Sequence, residues 1–253
     1  FTDSIVHSVE YDKDNRRASG VKVVNSETNK FSRINARIIF LCASTLGTTQ
    51  IMLNSKSESF PNGIANSSGI LGHYLMDHIF ESGANGVYPG FQDKYFKGRR
   101  PNGIYIPRYH NIDKKDDRFL RGFGFQGGGK RPGWKRGRTI KGFGVDLKEQ
   151  LKRPGPWTFS LGGFGEMLPD KRNKVWLDQK QKDKWGIPLL NIECVLRENE
   201  LKMLKVMAED AKEMLEASGM VDVTTYNNSA PPGLAIHEMG TARMGHDPKT
   251  SVL

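Results

Sequence analysis

The run Ile38-Ile39-Phe40-Leu41-Cys42-Ala43 constrains this chain most. It is far shorter than the roughly 20 apolar residues that a membrane-spanning helix needs, and it reads as a buried strand. Small residues follow at once. Ser44 or Thr45 is placed to cap a helix over about 46–54, with Leu46, Ile51 and Leu53 on offer for burial. A buried strand, a short Cys42-Ala43-Ser44 turn and a helix start form an α/β unit. Such a turn offers backbone N–H groups to a phosphate. Many α/β proteins contain one, so the turn alone names no ligand.

Around this unit the pattern changes twice. Residues 1–42 read as a β-meander, with Ile5-Val6, Val9–Tyr11 and Gly20–Val24 as strands and Asp12–Asn15 as a polar turn, leading through Ile34–Leu41 into the core strand. Residues 56–70, rich in Ser, Asn and Gly, read as a loop. From about 80 to 195, short strands alternate with Gly/Pro-rich turns: Gly103–Arg108, Phe119–Phe125, Thr139–Leu147, Trp157–Leu168, Lys174–Leu177 and Leu189–Val195. That is the texture of an antiparallel sheet with long connections. Residues 197–218 hold the clearest helix, with Leu201, Leu204, Met207, Ala211 and Leu215 at helical spacing and Gly219 as its stop. The expected class is therefore α/β (α+β).

Composition narrows the function classes. With 253 residues the chain is one large domain or two ordinary ones. The net charge is +10, and the excess is concentrated between Lys94 and Arg153, at Lys97, Arg99, Arg100, Lys130, Arg131, Lys135, Arg136, Arg138 and Lys141. A solvated loop face accounts for most such runs; a docking face for an acidic partner or anionic surface is the alternative. Cys42 and Cys194 both lie in apolar runs and read as buried thiols. They form no CxxC pair, so neither a zinc site nor a disulfide scaffold is expected. No apolar run is long enough for a transmembrane helix. Phe1-Thr2-Asp3-Ser4 carries no signal-peptide pattern, and any targeting signal would lie upstream, so a periplasmic or a cytoplasmic site stays open.

Several motifs fail on context. Gly122–Gly127 spells GxGxxG but is followed by Gly128-Gly129-Lys130-Arg131-Pro132-Gly133, which cannot start the helix a nucleotide fingerprint needs. His237-Glu238 begins like HExxH, but position 241 is Thr, so no metal is expected. No GxSxG elbow supports a serine hydrolase. His237 remains. Pro231-Pro232-Gly233 leads into it, and Gly240 and Gly245 after it permit close approach of backbone to something planar or bulky. A neutral imidazole there could take a proton from an alcohol.

These residues, taken in order, resemble the glucose-methanol-choline (GMC) family of flavin oxidoreductases. The stretch from His237 to Pro248 is similar to the family's C-terminal histidine motif. Ile38–Ser55 resembles its second signature, with Ser44 where Gly is usual and Thr49 where Pro is usual. Gly72-His73-Tyr74-Leu75-Met76-Asp77-His78 is similar to its Gly-Arg-x-Leu-x-Asp-His segment, with His73 replacing Arg. Asp178 and Trp185-Gly186-Ile187-Pro188 resemble the branch with gluconate dehydrogenases and related sugar oxidoreductases. The resemblance implies FAD as cofactor and His237 as catalytic base. It also implies that Val6 lies near the adenine, that Cys42, Ala43 and Ser44 form the turn at the cofactor, and that Asp77 and His78 belong to the segment covering the flavin.

It further implies a partial FAD-binding domain over 1–55 and 226–253, and a substrate-binding domain over 56–225 with a largely antiparallel sheet backed by helices. The amino-terminal GxGxxG unit and the family's last segment have no counterpart here, so an internal fragment, inactive alone, is expected. The implied reaction is oxidation of a CH–OH group of a sugar, sugar acid or glycoside, with an electron-acceptor subunit or cytochrome as a further partner. Nucleic acid is not an expected partner. The rival reading is a basic β-rich binding module without catalysis, docking on a polyanion or an acidic protein.

Overall fold

The computed structural model describes residues 1–94 and 103–252. The chain forms two compact units, each assembled from separated stretches. The first comprises Phe1–Asp77, Pro169–Val195 and Ile236–Leu253; the second comprises His78–Leu168 and Leu196–Ala235. Residues 56–77 and 169–195 thus fold with the chain ends, whereas the sequence division at 55 and 226 places them with the middle.

In the first unit, β1 (Ser4–Asp12), β2 (Arg17–Asn25) and β3 (Phe31–Asn35) form the antiparallel meander expected from the sequence. Asp12 closes the first turn, its Oδ1 accepting the Asn15 N–H at 3.0 Å. The expected core strand does not follow. Residues 36–43 join no ladder among the described residues, and Ile38 and Phe40 are 73% and 82% exposed. A central strand is buried by neighbours on both edges and layers on both faces. This run has neither, so its apolar side chains line the surface. Cys42 at its end is exposed and Cys194 half-buried, so neither is the buried thiol expected.

Helix α1 (Ser44–Asn54) then begins, with Ala43 at the cap position and no side-chain cap. Neither Ser44 nor Thr45 caps it. Ser44 adopts a left-handed φ of 56° instead, and Thr45 bonds elsewhere. The helix packs on β1 and on β8 (Lys174–Lys182), which forms a hairpin with β9 (Pro188–Glu193). Met52, Ile70, Leu71 and Val252 make a core cluster. Asp178 and Trp185 serve this hairpin. Asp178 accepts the N–H groups of Lys180 and Gln181, bonds that hold its carboxyl below the usual range. Trp185 donates its indole N–H to the Ser26 carbonyl at 3.0 Å.

In the second unit, β4 (Ser82–Tyr88), β5 (Gly103–Ile106), β6 (Phe123–Lys130), β7 (Trp157–Gly165) and β10 (Val221–Asn227) form one sheet in the order β10-β4-β7-β6-β5, antiparallel throughout. Helix α3 (Glu198–Ala217) covers it, packing on β4, β7 and β10. Met203, Leu204, Met207, Ala211 and Leu215 are buried on its inner face. Full burial of each large side chain stabilises by about 1.5–3 kcal/mol. Glycines at β7 bring the helix close: a methyl group on Gly163 would stand 2.7 Å from the Met207 sulfur. Most of Gly122–Gly127 lies in β6, paired on both edges, in a sheet rather than a nucleotide turn.

The expected strand at Thr139–Leu147 is absent. A short 3-10 turn, Trp134–Arg138, and α2 (Gly144–Lys152) occupy the β6–β7 connection. Of the basic run, Lys97, Arg99 and Arg100 lie outside the described residues.

Candidate active site

The candidate site is built in the first unit, where the entry to α1 meets the segment after His237. Met76 and Met239 exchange both backbone hydrogen bonds, at 2.9 and 3.0 Å, and Gly72 donates to the Thr241 carbonyl at 2.8 Å. These bonds pair 72–76 antiparallel with 239–241. Gly240 makes the approach possible. Its φ is 100°, and a Cβ there would stand 2.0 Å from the Tyr74 carbonyl oxygen.

Helix α1 ties down the same segment from the other side. The Thr45 hydroxyl donates to the Glu238 carbonyl at 2.5 Å. Thr49 donates its one hydroxyl proton to the Thr45 carbonyl at 2.8 Å, so the 2.6 Å contact between the Thr49 and Thr241 hydroxyls has Thr241 as donor. Both side chains are buried. A buried hydroxyl must be satisfied, and these two satisfy each other.

His237 is exposed, with its N–H donating to the Asp77 carboxylate Oδ1 at 3.1 Å. Asp77 is itself buried. The residue before the histidine, Ile236, holds a left-handed φ of 57°, rare for a β-branched side chain. Such a conformation costs on the order of 1–3 kcal/mol and persists where surrounding bonds fix it. The Asp77 bond to the next N–H is one of these.

Two cavities open beside this scaffold. The larger, of about 640 Å³, is lined by Cys42, Ser44, Thr45 and Thr48 from the start of α1, by Met76, and by Met239–Arg243. The smaller, of about 330 Å³, is lined by Val6, Val21, Ile38–Ala43 and Ile51. Both fall in the range of small-molecule sites. Without a side-chain cap, the N–H groups of the first turn of α1 are available to an acceptor. Arg243 stacks over the Tyr74 ring at 4.2 Å and donates to the Thr250 carbonyl, which places a cation at the larger cavity.

Of the residues singled out in the sequence, Cys42 and Ser44 thus share a cavity with the run after His237. Val6, Cys42 and Ala43 share the second, and Asp77 bonds His237. His78 belongs to the second unit, its Nδ1 3.1 Å from the Gly165 carbonyl oxygen. Thr45, Thr49 and Thr241 enter the sequence reading only as a cap candidate, a departure from the family signature and the residue that breaks HExxH, not as site residues. Their one signal is an i,i+4 pair of threonines on a helix next to the small-residue turn.

Residues 169–253 match the family model of the GMC oxidoreductases. The chain belongs to that family. Over 94% of its length this GMC chain is 30% identical to 2-methyl-1,2-propanediol dehydrogenase from Mycolicibacterium austroafricanum, covering 44% of that protein. Over 99% of its length it is 23% identical to the fructose dehydrogenase large subunit from Gluconobacter japonicus, covering 45% of it. The GMC chain therefore spans a little under half the length of these curated relatives. Members of the family are in general FAD-dependent flavoproteins. The donor set is of a kind such a cofactor uses: an uncapped helix start, small side chains and an obligatory glycine beside a cavity.

Proposed function

We propose that the protein carrying this chain is an FAD-dependent oxidoreductase of CH–OH groups, with His237 as its base and a sugar, sugar acid or glycoside as donor. One observation carries the reading most. The turn at Cys42 and Ser44 and the run after His237 converge on a single cavity, and Asp77 anchors the His237 backbone beside it. Val6, Cys42, Ala43 and Ser44 would hold the cofactor, and Asp77 and His78 would belong to the segment over it. The first unit would then be the cofactor part and the second, with its broad antiparallel sheet, the substrate part.

When bound, the flavin supplies a hydride acceptor. His237 takes the hydroxyl proton as the carbon-bound hydrogen leaves. Thr45, Thr49 and Asp77 keep the histidine's backbone in place. An electron-acceptor subunit or cytochrome would receive the electrons, in keeping with a relative named as the large subunit of a dehydrogenase. A small branched diol is the second reading for the donor, favoured by the 30% identity to a propanediol dehydrogenase.

The test is stopped-flow reduction of the full-length flavoprotein, normalised to bound flavin. His237→Ala is expected to slow reduction by about 10²–10⁴-fold, the contribution typical of a positioned base, with flavin content retained. Unchanged reduction per bound flavin, with loss of cofactor alone, would make the histidine structural. A panel of aldoses, aldonic acids, glycosides and short diols, with an artificial electron acceptor, ranks the donors.

A further inference from the structure

The connection from β6 to β7 is not a plain loop. Its ends meet at a neck, where Gly155 donates its N–H to the Pro132 carbonyl at 2.8 Å and Arg131 donates Nε to the Gly155 carbonyl at 2.8 Å. Inside, Arg136 acts as a staple. Its guanidinium donates to the carbonyls of Gly133, Gln150 and Arg153 at 3.1, 2.6 and 2.6 Å. Gly137 lets Leu151 of α2 close over the 3-10 turn, since a methyl group there would stand 2.7 Å from Leu151 Cδ1. The excursion is thus a built element with its own internal bonds.

What it presents outward is unusual. No residue of the 3-10 turn or of α2 is buried. Trp134, Phe143 and Val145 are 72%, 90% and 71% exposed. Phe143 stands between Gly142 and Gly144, both with positive φ, at the point where the chain turns into α2. Residues 131–155 hold eight Lys and Arg against two Asp and Glu, which is six of the chain's ten net positive charges. Arg131 and Arg136 serve the neck and staple, and Lys152 pairs with Glu149. Lys135, Arg138, Lys141 and Lys148 are exposed among the apolar side chains.

We propose that this excursion docks on an anionic lipid surface. Aromatic side chains settle at headgroup depth, and each Lys or Arg near an anionic leaflet adds attraction to its phosphates. The mixture fits a headgroup layer better than it fits an acidic protein, because exposed cations and apolar side chains are interspersed along 134–148, from Trp134 and Lys135 through Lys141 and Phe143 to Val145 and Lys148. No helix among the described residues is long and apolar enough to cross a membrane, so the contact envisaged is peripheral. The proposal does not depend on the chemistry assigned to the first unit.

The test is co-sedimentation of the full-length flavoprotein with vesicles of phosphatidylcholine alone and of phosphatidylcholine doped with phosphatidylglycerol. Binding is expected only to the doped vesicles, weakening as salt rises. Replacing Lys135 and Lys141 together by Ala should lower the partition coefficient by about tenfold or more. Trp134→Ala and Phe143→Ala should each lower it by about tenfold as well. These side chains are exposed, so flavin content and thermal melting are expected to stay as in wild type. A Trp134 emission blue shift on adding doped vesicles, lost in Trp134→Phe, reports insertion. Equal binding to both vesicle types, no binding, or binding indifferent to Trp134 and Phe143 would overturn the proposal. So would sedimentation by self-association without lipid, or capture by polyglutamate that survives both apolar substitutions and excludes vesicles.

Discussion

At Gly240 an added methyl group has nowhere to go. The Tyr74 carbonyl stands 2.0 Å from the place a Cβ would take, and the backbone holds a φ that L side chains avoid. Gly240→Ala is expected to cost about 2–4 kcal/mol and to release flavin, read by thermal melting and by the ratio of visible to protein absorbance. Asp77 is subtler. Its carboxylate accepts the His237 N–H from a buried position, so Asp77→Ala leaves a donor unsatisfied and frees the strained Ile236. Loss of about 1–3 kcal/mol and a slower flavin reduction per bound flavin are expected. Asp77→Asn keeps an oxygen acceptor and should recover most of the rate. A rate in Asp77→Ala equal to wild type would remove Asp77 from the positioning of His237. Of these residues, His237, Asp77 and Gly240 were legible because they lie inside short motifs. Thr45 and Thr49 were not, because each finds its partner roughly 190 positions away, at Glu238 and Thr241.

At the level of elements, legibility followed periodicity. Helix α3 repeats apolar residues at helical spacing, and the sequence places it to within a residue or two. The first two strands of the meander are legible in the same way, whereas the third lies at Phe31–Asn35 and not over Ile34–Leu41. Strands β4 and β10 went unread: Ser-Gly-Ala-Asn-Gly-Val-Tyr has little strand propensity and becomes a strand through pairing with β7 and β10. The apolar run at 38–43 failed in the opposite sense, since apolarity marks a wish for burial and not its fulfilment.

The segment between β5 and β6 offers an element-scale prediction. His110 bridges Asp116 at 3.1 Å and Asp210 of α3 at 2.7 Å, with Phe119 and Phe123 packed on its ring. Burial, and then its bond to Asp210, push the Tyr109 hydroxyl up. The Arg118 side chain holds the Asp116 carboxyl down at about 2, well below its ordinary value of 3.8. A depressed carboxyl contributes stability that is present above its unfolded value and is lost as pH falls through the folded one. The stability gap between wild type and Asp116→Asn should therefore be widest above about pH 4 and shrink towards pH 2 in urea titrations. A gap independent of pH over that range would show the ion pair to be without effect.

At the scale of the whole molecule, both units are discontinuous. The first needs three stretches of the chain, and the second is threaded between them. The division at 55 and 226 follows the family resemblance, and in sequence the β8–β9 hairpin lies within its middle part. Its partner in space is α1, more than a hundred residues earlier. The order of synthesis gives this arrangement a temporal meaning. By Ala235 a ribosome has made every described stretch of the second unit, while Ile236 onward of the first is still to come. Local contacts close early and distant ones late. The β4–β7–β10 sheet and α3 can thus settle while α1 waits for Thr241. Within the described fold, the histidine segment leaves the exit tunnel after every element it packs against, so the place where chemistry is proposed is assembled on a scaffold already made.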